Sequence, residues 1–285
     1  MDNYFVSSCK RVKDWICRQF GQKEKKTVHH KKFADGGEVI VWETGRAGEE
    51  AASYEHLFLR KEIAGFRTNI RREQSCSIKS LTRDYLYKQL LSSGEYTFDH
   101  MLVIKDPYGE APLTALALFI LEEPACVRVT TKGNLKETDF VTDLPKKKEH
   151  RVPILGMYAE KANDIVIEIL DDEGNCVKSH TFTIRTKRLP KSLRNVITVK
   201  KWTDKPAYSN IMINGGVKIH TCVFDIEGKI RYYLSRKPRG YGIFPLSDGH
   251  FFYMEKYISV PSYSNPQTVE SYDMDYFGRV FRTYL

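Results

Sequence analysis

Near neutral pH, histidine is the side chain best suited to act as nucleophile, proton carrier or metal ligand, and the chain has eight. His29 and His30 are adjacent, so on a helix or strand they point in different directions and make a poor metal pair. His100, His150 and His180 fall in segments that read as strands, where they serve as surface or packing residues. His220 stands in "VKIHTCVF" and His250 follows an Asp-Gly turn; both read as structural. Cys9, Cys17, Cys76, Cys126, Cys176 and Cys222 include no CxxC pair and no Cys/His spacing that fits zinc. They read as reduced structural thiols, and nothing here calls for a metal or a cofactor. The remaining set is "KPRGYGIFP" (237–245), which puts Arg239 and Tyr241 with two glycines on one loop-to-strand segment. A guanidinium and a phenol ring so placed can hold an anion and an aromatic group. The plainer reading is a turn with a packed tyrosine.

Most of the elements that must position these residues read as β-structure. "YTFDHMLVI" reads as a strand and is followed by the turn Asp106-Pro107-Tyr108-Gly109. "LTALALFI", "CVRVTTKG", "HRVPILGMY", "DIVIEIL" and "VKSHTFTIRT" read as further strands, with "DDEGN" as a hairpin turn. Pro153 suits an edge position. Short strands at this spacing predict an antiparallel β-sandwich over residues 93–189, with "RTKRLPKSL" as a linker. Residues 1–92 read as a helical and linker segment. Val12, Ile16 and Phe20 predict a short helix near Asp2–Phe20, and "KEKKTVHHKK" (23–32) looks like a polar linker. A helix is expected from Ala47 to Ser92, with Leu81, Tyr85, Leu86 and Leu90 as its apolar stripe.

Residues 190–285 contain an internal echo. "VFDIEGKIRYYL" (223–234) and "SYDMDYFGRVFRTYL" (271–285) share an aromatic-Asp-x-acid pattern, then Gly-basic-β-branched, with Gly228 and Gly278 fifty residues apart. "YGIFPLSDGHFFYM" between them fits two more strands. This period is that of β-propeller blades, and the segment reads as the first blade or so of an incomplete propeller. The expected fold class is therefore mainly β.

Several function classes are disfavoured by composition. The net charge is +9, but it sits at the two ends: +5 over 1–80, −2 over 81–189 and +6 over 190–285. No RNP, KH, zinc-finger or helix-turn-helix signature accompanies it, so no nucleic-acid partner is expected. The longest apolar run, Leu113–Leu121, is too short to span a bilayer, so no integral membrane segment is expected. The first thirty residues lack the apolar stretch of a secretory signal, which favours the cytoplasm.

The stretches "DPYGEAPLTALALF" (106–119), "HRVPILGMY" (150–158), "IVIEILDDEGNCVKSHTFTIRTKRLP" (165–190) and "KPRGYGIFPLSDGHFFYMEKYISVPSYSNPQTVESYDMDYFGRV" (237–280) together resemble the aryl-sulfate sulfotransferase family. The first three are similar to its N-terminal Ig-like domain and the last to the opening of its propeller. The resemblance implies sulfuryl transfer from an aryl sulfate donor to a phenolic acceptor through a sulfated histidine. It also implies a periplasmic or exported location. The family's catalytic residues lie on later blades, so the catalytic machinery is expected beyond Leu285. On this resemblance Arg239 and Tyr241 are candidates to bind the aryl sulfate, and a homodimer is allowed. The alternative is a catalytically inactive β-sandwich that serves as a binding or interaction module.

Overall fold

The computed structural model describes residues 28–34, 36–55, 74–200, 210–213, 220–236, 242–255 and 270–284. The expected helix at 2–20 lies outside these residues, as do Arg239 and Tyr241. The chain is mainly β, with two helices among the described residues. Its largest unit is a seven-stranded sheet of β1 (Val28–Lys32), β2 (Glu38–Trp42), β3 (His100–Lys105), β4 (Ala115–Thr131), β5 (Phe140–Ile154), β6 (Ala162–Leu170) and β7 (Cys176–Arg185). The strand order is β1-β2-β3-β4-β6-β7, and β5 lies along the other edge of β4. Pairing is antiparallel except between β2 and β3.

Two strands of this sheet come from the segment that reads as helix and linker. The tail of the polar run forms β1, and "EVIVW" forms β2. In place of one helix from Ala47 to Ser92 there are α1 (Thr44–Ala52) and α2 (Gln74–Ser92), with 56–73 between them outside the described residues. The two helices make the crossover that a parallel β2–β3 pair requires.

The continuous apolar run Met101–Ile104 is explained by burial on both faces. Leu102 and Ile104 pack with Ala47, Ala51, Leu86, Tyr87 and Leu91 of the helices. Met101 and Val103 face the other way, into a core with Phe119, Val129, Ile165, Phe182 and Ile184. The buried face of α2 is one step away from the expected stripe. Ile78, Thr82, Leu86, Tyr87 and Leu91 are buried, and Leu81 is 41% exposed. Leu81 lies between Ser80 and Thr82, whose small side chains are the ones that turn inward.

"LTALALFI" and "CVRVTTKG" are halves of one 17-residue strand, β4. The first half pairs with β3 and the second with β6, while β5 runs along both. Register shifts near Glu122–Ala125 bend it, and Pro124 there offers no N–H to the ladder. The bend curls the sheet until its ends approach. The Lys31 ammonium on β1 donates to the Thr183 carbonyl on β7 and, at 3.0 Å, to its hydroxyl. The Phe33 ring stacks on His180 of β7 with centroids 3.9 Å apart. The sheet is therefore a nearly closed barrel.

Two smaller sheets follow. β8 (Asn210–Ile213), β9 (Cys222–Asp225) and β10 (Ile230–Tyr233) form one, in the order β10-β9-β8. β11 (Gly242–Pro245), β12 (Phe251–Glu255), β13 (Glu270–Met274) and β14 (Val280–Tyr284) form a four-stranded antiparallel meander.

Candidate functional site

The loop Asp106–Pro112 is where the parts of the molecule meet. Asp106 takes a positive φ of 46°, and its carboxylate accepts the Ala111 amide at 2.9 Å. Burial pushes the Asp106 carboxyl upward, against the amides that hydrogen-bond to it. The Pro107 carbonyl accepts from Arg83 at 2.5 Å and from the Tyr87 hydroxyl, both on α2. Tyr108 donates at 2.5 Å to Asp84, which also pairs with Arg279 at 2.6 Å and Arg151 at 3.3 Å. On the far side the Glu110 carbonyl accepts the Ser235 amide at 2.7 Å. Ala111 packs among Tyr232, Phe251, Tyr253, Tyr272 and Val280 of the smaller sheets.

A second junction is built on Arg231 of β10, whose side chain is 1% exposed. Its Nε donates to the Gly156 carbonyl at 2.6 Å. Its Nη1 donates to the Thr138 carbonyl at 2.7 Å and to the Tyr158 hydroxyl at 3.0 Å. The Tyr158 hydroxyl in turn donates to Asp225 Oδ2 at 2.8 Å, and Asp225 lies 3.5 Å from Arg231. The guanidinium also sits over the Tyr158 ring, 4.0 Å from its centroid. Burial raises the Tyr158 hydroxyl pKa and lowers that of Arg231. This bonding pattern ties the barrel to the β9–β10 hairpin. It leaves Arg231 Nη2 buried with no hydrogen-bond partner.

The histidines among the described residues are already engaged. His220 Nδ1 lies 2.9 Å from the Arg236 carbonyl, and His250 Nδ1 lies 3.0 Å from Asp273 while its ring stacks on Phe281. His150 is buried, 2.8 Å from the Lys147 carbonyl, and burial lowers its pKa. His180 is 2.7 Å from Asp99 and stacks between Phe33 and Phe98. His100 and His30 lie 3.3 Å from Glu38, and His29 is 3.7 Å from Glu43. His30 and His100 share one carboxylate, and His29 and Glu43 stand together on the wall of a cavity at the β1–β7 seam.

Among the described residues, the cavities large enough for a small ligand include two on the barrel. One, of about 860 Å³, lies at the bend of β4 and is lined by Phe98, Ile120, Leu121, Pro124, Lys148 and Lys178 among others. The other, of about 540 Å³, lies at the barrel seam between β1 and β7. Its walls include His29, Lys31, Lys105, Arg185 and Lys187, with Glu43 as the carboxylate. Glu43 is 2.7 Å from Lys105. Burial, followed by the charges of Lys105 and Arg185, lowers the pKa of Lys31.

The sequence draws attention to Arg239 and Tyr241 and passes over Arg231 and Lys31. A cation inside the short aromatic strand "IRYY" was the available signal for Arg231. For Lys31 the signal was the density of cations in "HHKK" beside an apolar strand.

This mainly β, barrel-like sheet with its long shared strand defines a class before it defines a protein. Residues 102–187 match the family model of the arylsulfotransferase Ig-like domain. The match supports the resemblance to the arylsulfotransferase family that the sequence carries. It runs from the middle of β3 to just past β7, and it includes the Asp106–Pro112 loop. No curated protein matches the chain. Among the described residues no helix is long and apolar enough to cross a membrane.

Proposed function

We propose that the chain is the N-terminal portion of an aryl-sulfate sulfotransferase. Its complete form moves a sulfuryl group from an aryl sulfate to a phenol through a histidine intermediate. On this reading the curled sheet is the family's Ig-like sandwich, and the two smaller sheets are propeller blades. The observation that carries it is the family match over 102–187 together with the docking of the matched loop onto the C-terminal sheets. The Ig-like unit then acts as a foundation that sets the position of the blades, and Arg239 and Tyr241 remain the residues proposed to bind the aryl sulfate. The intermediate forms on a histidine other than His220 and His250, because neither stands in a catalytic motif of the family.

The test is transfer of sulfate from a chromogenic aryl sulfate to a phenol, followed by release of the coloured phenolate. The 285-residue chain is expected to give no turnover. Any turnover by this chain overturns that expectation, and its loss on substitution of His220 or His250 would place the nucleophile there. If a longer product of the same reading frame is equally inert, sulfuryl transfer itself is wrong.

The interaction-module reading needs an open sheet edge for a partner strand. The free edge of β5 is the long exposed one, and it carries Pro145 followed by Lys146, Lys147 and Lys148. Proline and clustered lysines are how sheets discourage added strands, which favours the enzyme reading.

A further inference from the structure

The barrel fails to close at one place, and that place is crowded with positive charge. Strands β1 and β7 are not joined by a ladder; the Lys31 side chain bridges them through Thr183. The gap is the 540 Å³ cavity, within the range of about 300–1,000 Å³ usual for small-ligand sites. Lys31, Lys105, Arg185, Lys187, His29 and His30 line it against the single carboxylate of Glu43. That carboxylate is engaged by Lys105 at 2.7 Å and His29 at 3.7 Å. Among the described residues no carboxylate lies within ion-pair distance of Lys31, Arg185 or Lys187. Like charges gathered in a half-enclosed space repel one another more strongly than in open water. Burial first, and then the charges of Lys105 and Arg185, lowers the pKa of Lys31. An anion in the cavity would relieve that repulsion, and forked guanidinium and ammonium donors suit an oxyanion.

We propose that the seam between β1 and β7 is a binding site for a tetrahedral oxyanion, of which sulfate is the probe, held by Lys31 and Arg185. The site stands on charge and shape and does not depend on sulfuryl transfer. Free sulfate and the sulfate end of an ester share this chemistry.

The full chain is titrated with sodium sulfate against sodium chloride at matched ionic strength, and separately with phenyl sulfate. Binding is followed by calorimetry and by the NMR signals of the lysine side chains. Saturable binding is expected, with the Lys31 pKa moving upward as sulfate fills the site. Arg185→Gln and Lys31→Met should each weaken binding about tenfold or more, as loss of one charge-assisted hydrogen bond predicts. Lys146→Met, on the other cavity, should leave it unchanged. Arg185 is exposed, so R185Q keeps the test decisive if K31M does not fold. Tighter binding of phenyl sulfate than of sulfate points to the ester as ligand, and equal binding points to the free ion. A response that follows ionic strength alone, or that both variants leave intact, overturns the site.

Discussion

Arg231 concentrates the energetics of the molecule in one side chain. A buried ion pair contributes little over an apolar pair of the same shape, but removing one partner leaves a desolvated charge behind. Arg231→Met strands Asp225, which is fully buried, and frees the Gly156 and Thr138 carbonyls. The expected loss is about 3–5 kcal/mol, measured as a shifted urea midpoint. The double variant Asp225→Asn/Arg231→Met should recover part of it, because the stranded charge is gone. His150 gives a pH dependence. Burial holds its folded pKa below the ordinary value of about 6.5. Below pH 6.5 the unfolded chain therefore binds a proton that the folded chain refuses. The stability present above that pH is lost as pH falls toward the folded pKa. Melting temperatures between pH 7.5 and 5 should show this fall, and His150→Phe should flatten it. At this scale the sequence shows residue types but not partners. Arg231 is 73 residues from Tyr158 along the chain, so the aromatic strand around it hints at burial but names none of its partners. Arg239 and Tyr241 stood out because their neighbours are glycines and aromatics, which is a local signal.

The hairpin turns show what an element-level pattern can and cannot reveal. Asp225 Oδ1 accepts the amides of Glu227 and Lys229, and Asp275 Oδ1 accepts those of Phe277 and Arg279. The fifty-residue echo is thus a repeated turn, with Asp225 matching Asp275 when the glycines are aligned. The same turn occurs in the barrel, where Asp171 Oδ1 accepts the amides of Glu173 and Asn175. The turn alone is therefore no mark of a propeller. Gly174, Gly228 and Gly278 all take positive φ, at 86°, 76° and 75°. Their surroundings differ. A Cβ on Gly174 meets nothing within 4 Å, one on Gly228 lies 3.1 Å from Val199, and one on Gly278 lies 2.3 Å from the Glu110 Cβ. Gly174→Ala should cost only the backbone strain, about 1–2 kcal/mol. Gly228→Ala should cost more, and Gly278→Ala most, in a denaturant series. Equal losses at the three positions would contradict the contact at Glu110. The β6–β7 hairpin was legible because its alternation and turn are local. Strand β1 was not, because "VHHKK" has one apolar residue and is held in place by its partner strand and the seam.

For the whole molecule, the run 106–119 revealed the family resemblance, yet its structural role was hidden in contacts between distant segments. The Ser235 amide reaches Glu110 across 125 residues, and the Val280 amide reaches the Ser80 hydroxyl at 2.9 Å across 200. Sequence periodicity reports one element at a time and carries no trace of such pairings. Asp84 is the clearest handle on them, because one carboxylate joins α2 to Tyr108, to Arg151 of β5 and to Arg279 at the turn before β14. Asp84→Asn keeps the shape and a hydrogen-bond acceptor but removes the charge that holds both arginines. If the C-terminal meander is fastened to the barrel mainly here, it should open as a separate unit in the variant. Amide exchange in β13 and β14 should then rise by about tenfold or more, the range for loss of about 1.4 kcal/mol or more of local protection. The amides of β3 and the first half of β4 should stay as slow as before, since their core of Met101, Val103, Ala117 and Phe119 does not touch the carboxylate. An equal rise in β3 and β4 would mean that barrel and meander unfold only together, with the Arg231 junction sufficient to keep them coupled.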